Sequence, residues 1–505
     1  MELSELRAQR EQAKHRKRRI IFNNDGCDIV YNLKEVSPEA LLADRTTGLI
    51  GSHVDSIFYC PWSAGMGHVS YISDVAEPFL AKTRVFAPNL IGAFHEAGLD
   101  PLQIMIDFCR ENGIEIFMSM RMNDVHDSQP RWTEMIPQFK KDHPELLHGS
   151  LEDPPAFGLW SGLNYDEPEV QERAFELLED VCKRYDVDGI ELDWLRHPPH
   201  FKCSANGEDC TQLEREILTG LHRRIRDMTE QVGLKRGRPM LVAERLPASV
   251  ACCEAMGLDL RAWLKEDLVD LLVPGEMELV PWETWVDLGR EHDVPVYPDL
   301  TWSGSRRRQG PPDAQDGIAL RNFRARAMNV WHAGADGIHT FNLFDPSSAA
   351  WREVGEPEVL AGLDKDYFPD GHYRFLLGRE IRGLVRFYEF PAALDPESPV
   401  KLDPTRPFTV TLTIGEDPSD HGTGQKADVT LSVRVSDLTA ADGLEVRLND
   451  RVLSNGALQE EWVSYGVEPE RIQKGANTIK MINRDPSNKV VLKDIHVRIV
   501  YPRSR

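Results

Sequence analysis

Asp188-Gly-Ile-Glu-Leu-Asp-Trp-Leu-Arg-His-Pro198 is the stretch on which the reading of this chain turns. Successive side chains of a strand point to opposite faces, so Ile190 and Leu192 share one face and Glu191 and Asp193 the other. An apolar pair packs against helices, which sends the two acids toward the inside of a closed sheet. Two ionised carboxylates one pleat apart disfavour each other unless a cation or a proton intervenes, a cost that points to chemistry. The alternative is structural: Arg121, Arg196 or Arg245 pairs with the acids and ties strands together.

The same texture extends outward in both directions. From Arg19 to about Asp345, β-rich runs alternate with amphipathic helical stretches, the pattern of βα units around a parallel sheet. Strands are expected at Ile20–Asn24, Ser56–Pro61, Ile114–Asn123, Gly189–Leu195, Met240–Arg245, Val269–Pro274, Val294–Asp299 and Gly337–Phe344. Between them Pro168–Arg184, Gln212–Val232, Leu258–Glu266 and Leu320–His332 carry apolar residues at helical spacing. Eight such units predict an α/β fold, a (β/α)₈ TIM barrel. A doubly wound sheet would need a Gly-rich phosphate turn after an early strand, and Asn23-Asn24-Asp25-Gly26 is not one. Beyond about Pro391 the helical spacing gives way to short alternating runs such as Phe408–Ile414 and Val429–Val435, which predict an antiparallel β-sandwich. The expected plan is an N-terminal basic helical segment (1–18), a catalytic barrel (19–380), a Pro-rich linker (381–406) and an accessory β-sandwich (407–505). That last domain either binds sugar or packs on the barrel and stabilises it.

Composition bounds the partners. A formal charge of −23 over 505 residues leaves no overall basic face for a nucleic-acid backbone. No run of about 18 apolar residues suggests a membrane span. The basic run from Lys14 to Arg19 reads as a solvated helix, without the apolar stretch that follows such a run in a secretory signal. The eight cysteines show neither a disulfide framework nor paired CxxC spacing, so reduced thiols and a cytoplasmic location are expected, unless a signal peptide has been removed. No cofactor and no metal is implied, and a homo-oligomer is left open.

In a TIM barrel the reacting groups sit at the C-terminal ends of strands and in the loops that follow. Asp193 is nearest the end of its strand and is expected to act as nucleophile or base, with Glu191 one pleat deeper orienting it. Glu276, after the Pro-Gly turn of Val273-Pro-Gly-Glu-Met-Glu278, is expected as proton donor, and Glu244 and Asp299 are further rim carboxylates. One protonated and one ionised carboxyl flanking a glycosidic bond is what glycoside hydrolysis needs. In Ser119-Met-Arg-Met-Asn-Asp-Val-His-Asp127, alternation turns Arg121 and Asn123 inward and leaves Asp124, His126 and Asp127 on the loop above, where capping is an equal alternative. Rim tryptophans Trp62, Trp160, Trp194 and Trp302 are expected to stack on sugar rings.

These residues resemble the glycoside-hydrolase-like family 10 proteins and related family 10-like bacterial barrels over roughly residues 18 to 375. The resemblance is carried by Met120-Arg-Met-Asn-Asp-Val-His-Asp127, Tyr185-Asp-Val-Asp-Gly-Ile-Glu-Leu-Asp-Trp-Leu-Arg-His197, Leu268-Val-Asp-Leu-Leu-Val-Pro274 and Gly334-Ala-Asp-Gly-Ile-His-Thr-Phe-Asn342. It implies that Arg121, Asn123, Asp124, Glu191, Asp193, Arg196, His197, Arg245 and Asn342 line the site. It also implies that the C-terminal stretch is a jelly-roll module. The chain departs from the large retaining clan with Asn-Glu at the end of strand four, having Leu192-Asp193 there, so that clan's catalytic pair does not transfer. Two other functions compete: a metal-dependent barrel hydrolase or lyase using Glu191, Asp193, His126 and His197, and a carbohydrate-binding protein without catalysis.

Overall fold

The β-branched and aromatic run Ile20-Ile-Phe-Asn-Asn24 forms β1, the first of eight parallel strands. The others are β2 (Val54–Tyr59), β3 (Glu115–Arg121), β4 (Gly189–Asp193), β5 (Leu241–Pro247), β6 (Leu271–Gly275), β7 (Asp299–Thr301) and β8 (Ile338–Phe341). The computed structural model describes residues 1–61, 66–275, 278–369, 377–390, 394, 396, 399–419, 426–484 and 487–502. The strands lie in the order β6-β5-β4-β3-β2-β1-β8-β7. A parallel bridge between Leu272 and Val296 closes the ring, and Tyr297 N–H donates to Leu272 O at 2.8 Å. The fold is a TIM barrel followed by a β-sandwich, as the alternation predicts.

Seven of the strands fall within two or three residues of their expected bounds. The seventh differs, because only Asp299–Thr301 pairs as a strand and the preceding Val294–Pro298 run contributes little more than the closing bridge.

Helices α2 (Pro38–Arg45), α3 (Pro101–Asn112), α4 (Pro168–Arg184), α5 (Gln212–Arg236), α6 (Leu260–Lys265), α7 (Trp282–His292) and α8 (Ile318–Ala333) surround the barrel, with α1 (Leu3–Lys14) beneath it. Their ends are set by local chemistry. Asp100 accepts from the Leu102 and Gln103 N–H groups ahead of α3, and Thr211 and Glu214 form a capping box at α5. Ile190 and Leu192 join Leu177, Val181, Leu218 and Ile225 in the layer between sheet and helices. Ile21, Phe58, Phe117, Leu241, Ala243 and Leu271 fill the barrel's middle. Gly189 admits this packing, since a Cβ there would collide with the Phe117 ring and the Leu241 carbonyl.

The floor of the barrel corrects the expectation of a solvated basic segment. Arg18 is fully buried, its Nε and Nη2 donating to Glu115 at 2.6 and 2.8 Å and its Nη1 to Lys14 O at 2.8 Å. Ser56 Oγ also donates to Glu115, at 2.6 Å. Only α1's outer face is exposed; Leu6 is buried, and Arg10 pairs with Glu230 and Asp267. A basic residue reads as solvated in sequence because its partner, Glu115, is distant along the chain.

The sandwich contains β9 (Lys365–Tyr367), β10 (Val400–Lys401), β11 (Phe408–Ile414), β12 (Asp428–Ser436), β13 (Leu444–Leu448), β14 (Arg451–Val452), β15 (Ala457–Gln459), β16 (Trp462–Val467), β17 (Gly475–Asn483) and β18 (Val491–Val500). One sheet runs β9-β18-β12-β16-β15 with β10 also on β18, and the other β11-β17-β13-β14. β9 precedes the Pro-rich stretch, of which residues 391–393, 395, 397 and 398 lie outside the described residues, yet pairs with β18. Buried Glu416 accepts from Lys365 Nζ and Tyr367 OH, both at 2.8 Å, and from Tyr501 OH at 2.9 Å. Asn329 on α8 donates to Thr413 O and accepts from Gly415 N–H, joining barrel and sandwich. Among the described residues no helix is long and apolar enough to cross a membrane.

Candidate functional site

Glu191 and Asp193 do point into the barrel. Register places Asp193 level with Arg121 on β3 and Arg245 on β5, an acid between two bases. Arg245 takes it: Nη1 lies 3.0 Å from both carboxylate oxygens, while the Leu195 and Arg196 N–H groups donate to Oδ1 at 3.1 and 2.9 Å. The other side of Arg245 grips Asp299, with Nε at 3.0 and Nη2 at 2.7 Å from Oδ2. Asp299 Oδ1 lies 2.9 Å from His339 Nδ1, and His339 Nε2 faces Glu191 Oε1 at 3.5 Å. Ser119 Oγ donates to the other Glu191 oxygen. A continuous polar chain thus crosses the barrel, and Asp193 is 2% exposed. Burial pushes the Glu191 carboxyl up, helped by Asp193 and opposed by His339, so a proton resides there more readily than on an ordinary glutamate.

Above this chain lies a cavity of about 140 Å³ lined by Asp25, Cys27, Tyr31, Arg121, His126, Trp132, Met135, Arg196, Phe341 and Asn342. Asp25 follows β1, Arg121 ends β3, Arg196 follows β4 and Asn342 follows β8, so the cavity occupies the C-terminal mouth of the barrel, where a TIM barrel keeps its site. Phe341 forms part of its floor and stacks on the Arg245 guanidinium at 4.2 Å, linking cavity and polar chain. Arg45 Nη1 lies 2.6 Å from Asp25 Oδ1 and Arg121 Nη2 3.9 Å from Oδ2. Burial alone would raise the Asp25 carboxyl, but the two guanidinium groups outweigh it and bring it to about 2. Asp25 is an ionised carboxylate at neutral pH.

On the cavity's other wall, His126 Nδ1 lies 2.9 Å from Asp124 Oδ1, and Arg196 Nη2 lies 3.1 Å from His126 Nε2. Those contacts fix the neutral tautomer with its proton on Nδ1; burial, which also pushes this imidazole down, agrees. His197 stands edge-on to His126 with ring centroids 4.5 Å apart, on a left-handed backbone (φ 59°). Donor atoms of Asp124, His126 and His197 lie within 4.8 Å of one another, a set able to hold a metal ion. Arg196 occupies the His126 lone pair, and Arg121 lies 3.0 Å from Asp124, so a cation would have to displace one guanidinium and sit beside another.

Of the expected site residues, Arg121, His126, Arg196 and Asn342 line the cavity, with Asp124 and His197 immediately behind. Others lie elsewhere. Trp194 is fully buried, its Nε1 donating to Glu244 Oε2 at 2.9 Å and its ring stacked near His222, so it is core rather than a sugar platform. The alternation that turns Asp193 inward turns Trp194 outward, and Glu244 follows it toward α5, away from the rim. Asn123 is a pin: its amide donates to Leu163 O and Pro199 O and accepts from Leu163 N–H. Asp299 and Arg245 are sealed within the polar chain, out of reach of a substrate. Trp302 packs edge-on against Phe323 at 5.5 Å and does not line the cavity. Trp160 donates to Ser128 O, and Asp127 pairs with buried Lys140. Glu276 and Trp62 lie outside the described residues.

Sequence reasoning missed Asp25, Arg45, Tyr31, Trp132 and His339. Asp25 was detectable as the residue following a predicted strand, and His339 as an inward position of β8. Arg45 and Trp132 come from helical excursions that carry no period-two signal.

No family model matches the chain. No curated protein matches it. Among solved structures it is similar to the PgaB (BpsB) glycoside hydrolase domain from Bordetella bronchiseptica, at 15% identity over 67% of this chain and 99% of that one, with a TM-score of 0.42. It is also similar to α-L-fucosidase isoenzyme 2 from Paenibacillus thiaminolyticus, at 14% identity over 68% of this chain and 49% of that one (TM-score 0.41). A third is a glycoside hydrolase family 18 N-acetylglucosaminidase from Paenibacillus barengoltzii, at 11% identity over 68% and 99% (TM-score 0.38).

Proposed function

We propose that this chain is a glycoside hydrolase cleaving an oligo- or polysaccharide at the mouth of its barrel, in the manner of the family 10-like proteins it resembles. The observation that carries the reading is an ionised carboxylate, Asp25, set among aromatic and guanidinium groups in a cavity at the strand C-termini. Tyr31, Trp132 and Phe341 line it with aromatic rings against which a sugar can pack; Arg121, Arg196 and Asn342 line it with groups able to donate to sugar hydroxyls. Asp25 supplies the negative charge that an oxocarbenium-like transition state requires, as nucleophile, base or electrostatic partner. Asp193 fits a positioning role better than direct attack, because Arg245 engages both of its oxygens and two backbone N–H groups hold one of them. It thereby fixes the turn that delivers Arg196. The proton donor is sought at Glu276.

The test is a polysaccharide panel with reducing-end detection, followed by Asp25→Asn on the substrate found. Turnover should fall a hundredfold or more, in the usual range of about 10²–10⁴ for loss of such a group, while the protein still binds sugar. Wild-type turnover in a folded Asp25→Asn protein would remove Asp25 from the chemistry.

A metal-dependent hydrolase is the second reading, favoured by the Asp124, His126 and His197 cluster alone. Elemental analysis of purified protein, with His197→Ala as control, separates the two.

A further inference from the structure

None of the eight cysteines is in a disulfide, but they differ in what surrounds them. Cys109, Cys182, Cys252 and Cys253 are buried, and burial pushes each thiol up, away from the reactive thiolate. Cys27 is partly exposed, but Asp25 adds to burial in holding its proton on. Cys60 is buried as well, whereas Cys203 and Cys210 face each other. Their sulfurs stand 3.7 Å apart on the connection between β4 and α5, with Cys203 half-buried and Cys210 buried behind it.

The backbone holds the two residues in place from independent sides. Cys210 N–H donates to Ala255 O at 2.9 Å, Ala205 N–H to Phe201 O at 2.9 Å, and Phe157 N–H to Ala205 O at 2.9 Å. Between them the chain reverses through Gly207, whose φ of 92° suits glycine, and Glu208 N–H returns to Cys203 O at 3.0 Å. A disulfide needs the sulfurs at about 2.05 Å, so from 3.7 Å each has less than an ångström to travel.

We infer that Cys203 and Cys210 are a thiol pair that closes to a disulfide by exchange with a small soluble disulfide such as oxidised glutathione. The half-buried Cys203 thiolate attacks one sulfur of the external disulfide, whose S–S bond breaks to release one thiolate. Cys210 then attacks the Cys203 sulfur of the mixed disulfide and expels the second. The two thiol protons end on the two released thiolates, so one external disulfide is reduced to two thiols as one internal bond forms. Burial favours this order: Cys210 is buried behind Cys203, so an external disulfide reaches the Cys203 sulfur first. The same connection carries Arg196 and His197, so the bond would brace a wall of the candidate cavity.

The full-length native protein is incubated with oxidised glutathione, quenched with an alkylating reagent and digested with trypsin. Cleavage after Lys202 and Arg215 yields one peptide, 203–215, holding both thiols and no other cysteine. That peptide should appear two hydrogens lighter and unalkylated, and the oxidised protein should melt a few degrees higher. In Cys210→Ser the same peptide should stop at a glutathione adduct on Cys203. Full alkylation of both thiols after oxidation, or a wild-type peptide held as the glutathione adduct, would overturn the pairing.

Discussion

Replacing Arg245 with methionine keeps most of the packing against Phe341 and removes the cation between Asp193 and Asp299. Both acids are at most 2% exposed, and Arg245 makes two contacts to each. Removing one partner of a buried pair costs about 3–5 kcal/mol, because the charge left behind is uncompensated. At about 2 °C per kcal/mol for a large domain, the thermal midpoint should drop by roughly 6–10 °C. The pH dependence identifies the cause. In the wild type, burial pushes Asp299 up, but Arg245 and then His339 outweigh it and hold it below the ordinary range. That contributes stability above an unfolded carboxylate's pKa of about 4, lost as pH falls through the folded value. Without Arg245, burial dominates and the folded pKa rises above the unfolded one. The folded variant then binds more protons than the unfolded chain, so its stability falls as pH rises between those values. The deficit relative to wild type should widen from pH 5 to pH 8 in melts followed by tryptophan fluorescence. Adding Asp299→Asn should recover part of it. A pH-independent loss, a cost under about 1 kcal/mol, or no recovery in the double variant would refute the buried-charge account.

Trp194→Phe should cost about 1–3 kcal/mol by stripping a donor from buried Glu244, with KM unchanged; weaker substrate binding at unaltered stability would restore Trp194 to the rim. Deleting residues from 391 onward should abolish soluble expression, because β9 loses its sheet and buried Lys365 loses Glu416; a soluble, monodisperse truncated barrel would show that the two units are separable.

The barrel was legible because its signal is local and repeated. Period-two alternation in β4 was enough to turn Glu191 and Asp193 inward, and the same rule, applied one residue further, would have placed Trp194 in the core. What sequence could not supply was pairing between distant strands. The sequence offers Arg121, Arg196 and Arg245 as partners for the inward acids without choosing among them, and only the fold puts Arg245 on Asp193; Arg18 reads as solvated until Glu115 closes over it. The cavity was legible in part, since Arg121, Asn342 and Arg196 sit at strand ends. Arg45 and Trp132 arrive from excursions whose path no short-range pattern specifies.

The placement of β18 bears on how this protein comes off the ribosome. It is the last of the sandwich strands to be synthesised, yet β9, β10 and β12 all pair with it. β9 therefore emerges early and must wait, unpaired, until β18 appears more than a hundred residues later. Such long closures are slow to form, and a waiting strand is open to capture by another chain. Barrel synthesis can run ahead, and β12, β16 and β15 can pair among themselves, but β9 and β10 cannot join that sheet until β18 is made. Lys365, charged and facing Glu416 only after assembly, suits a strand that must stay soluble in the interval.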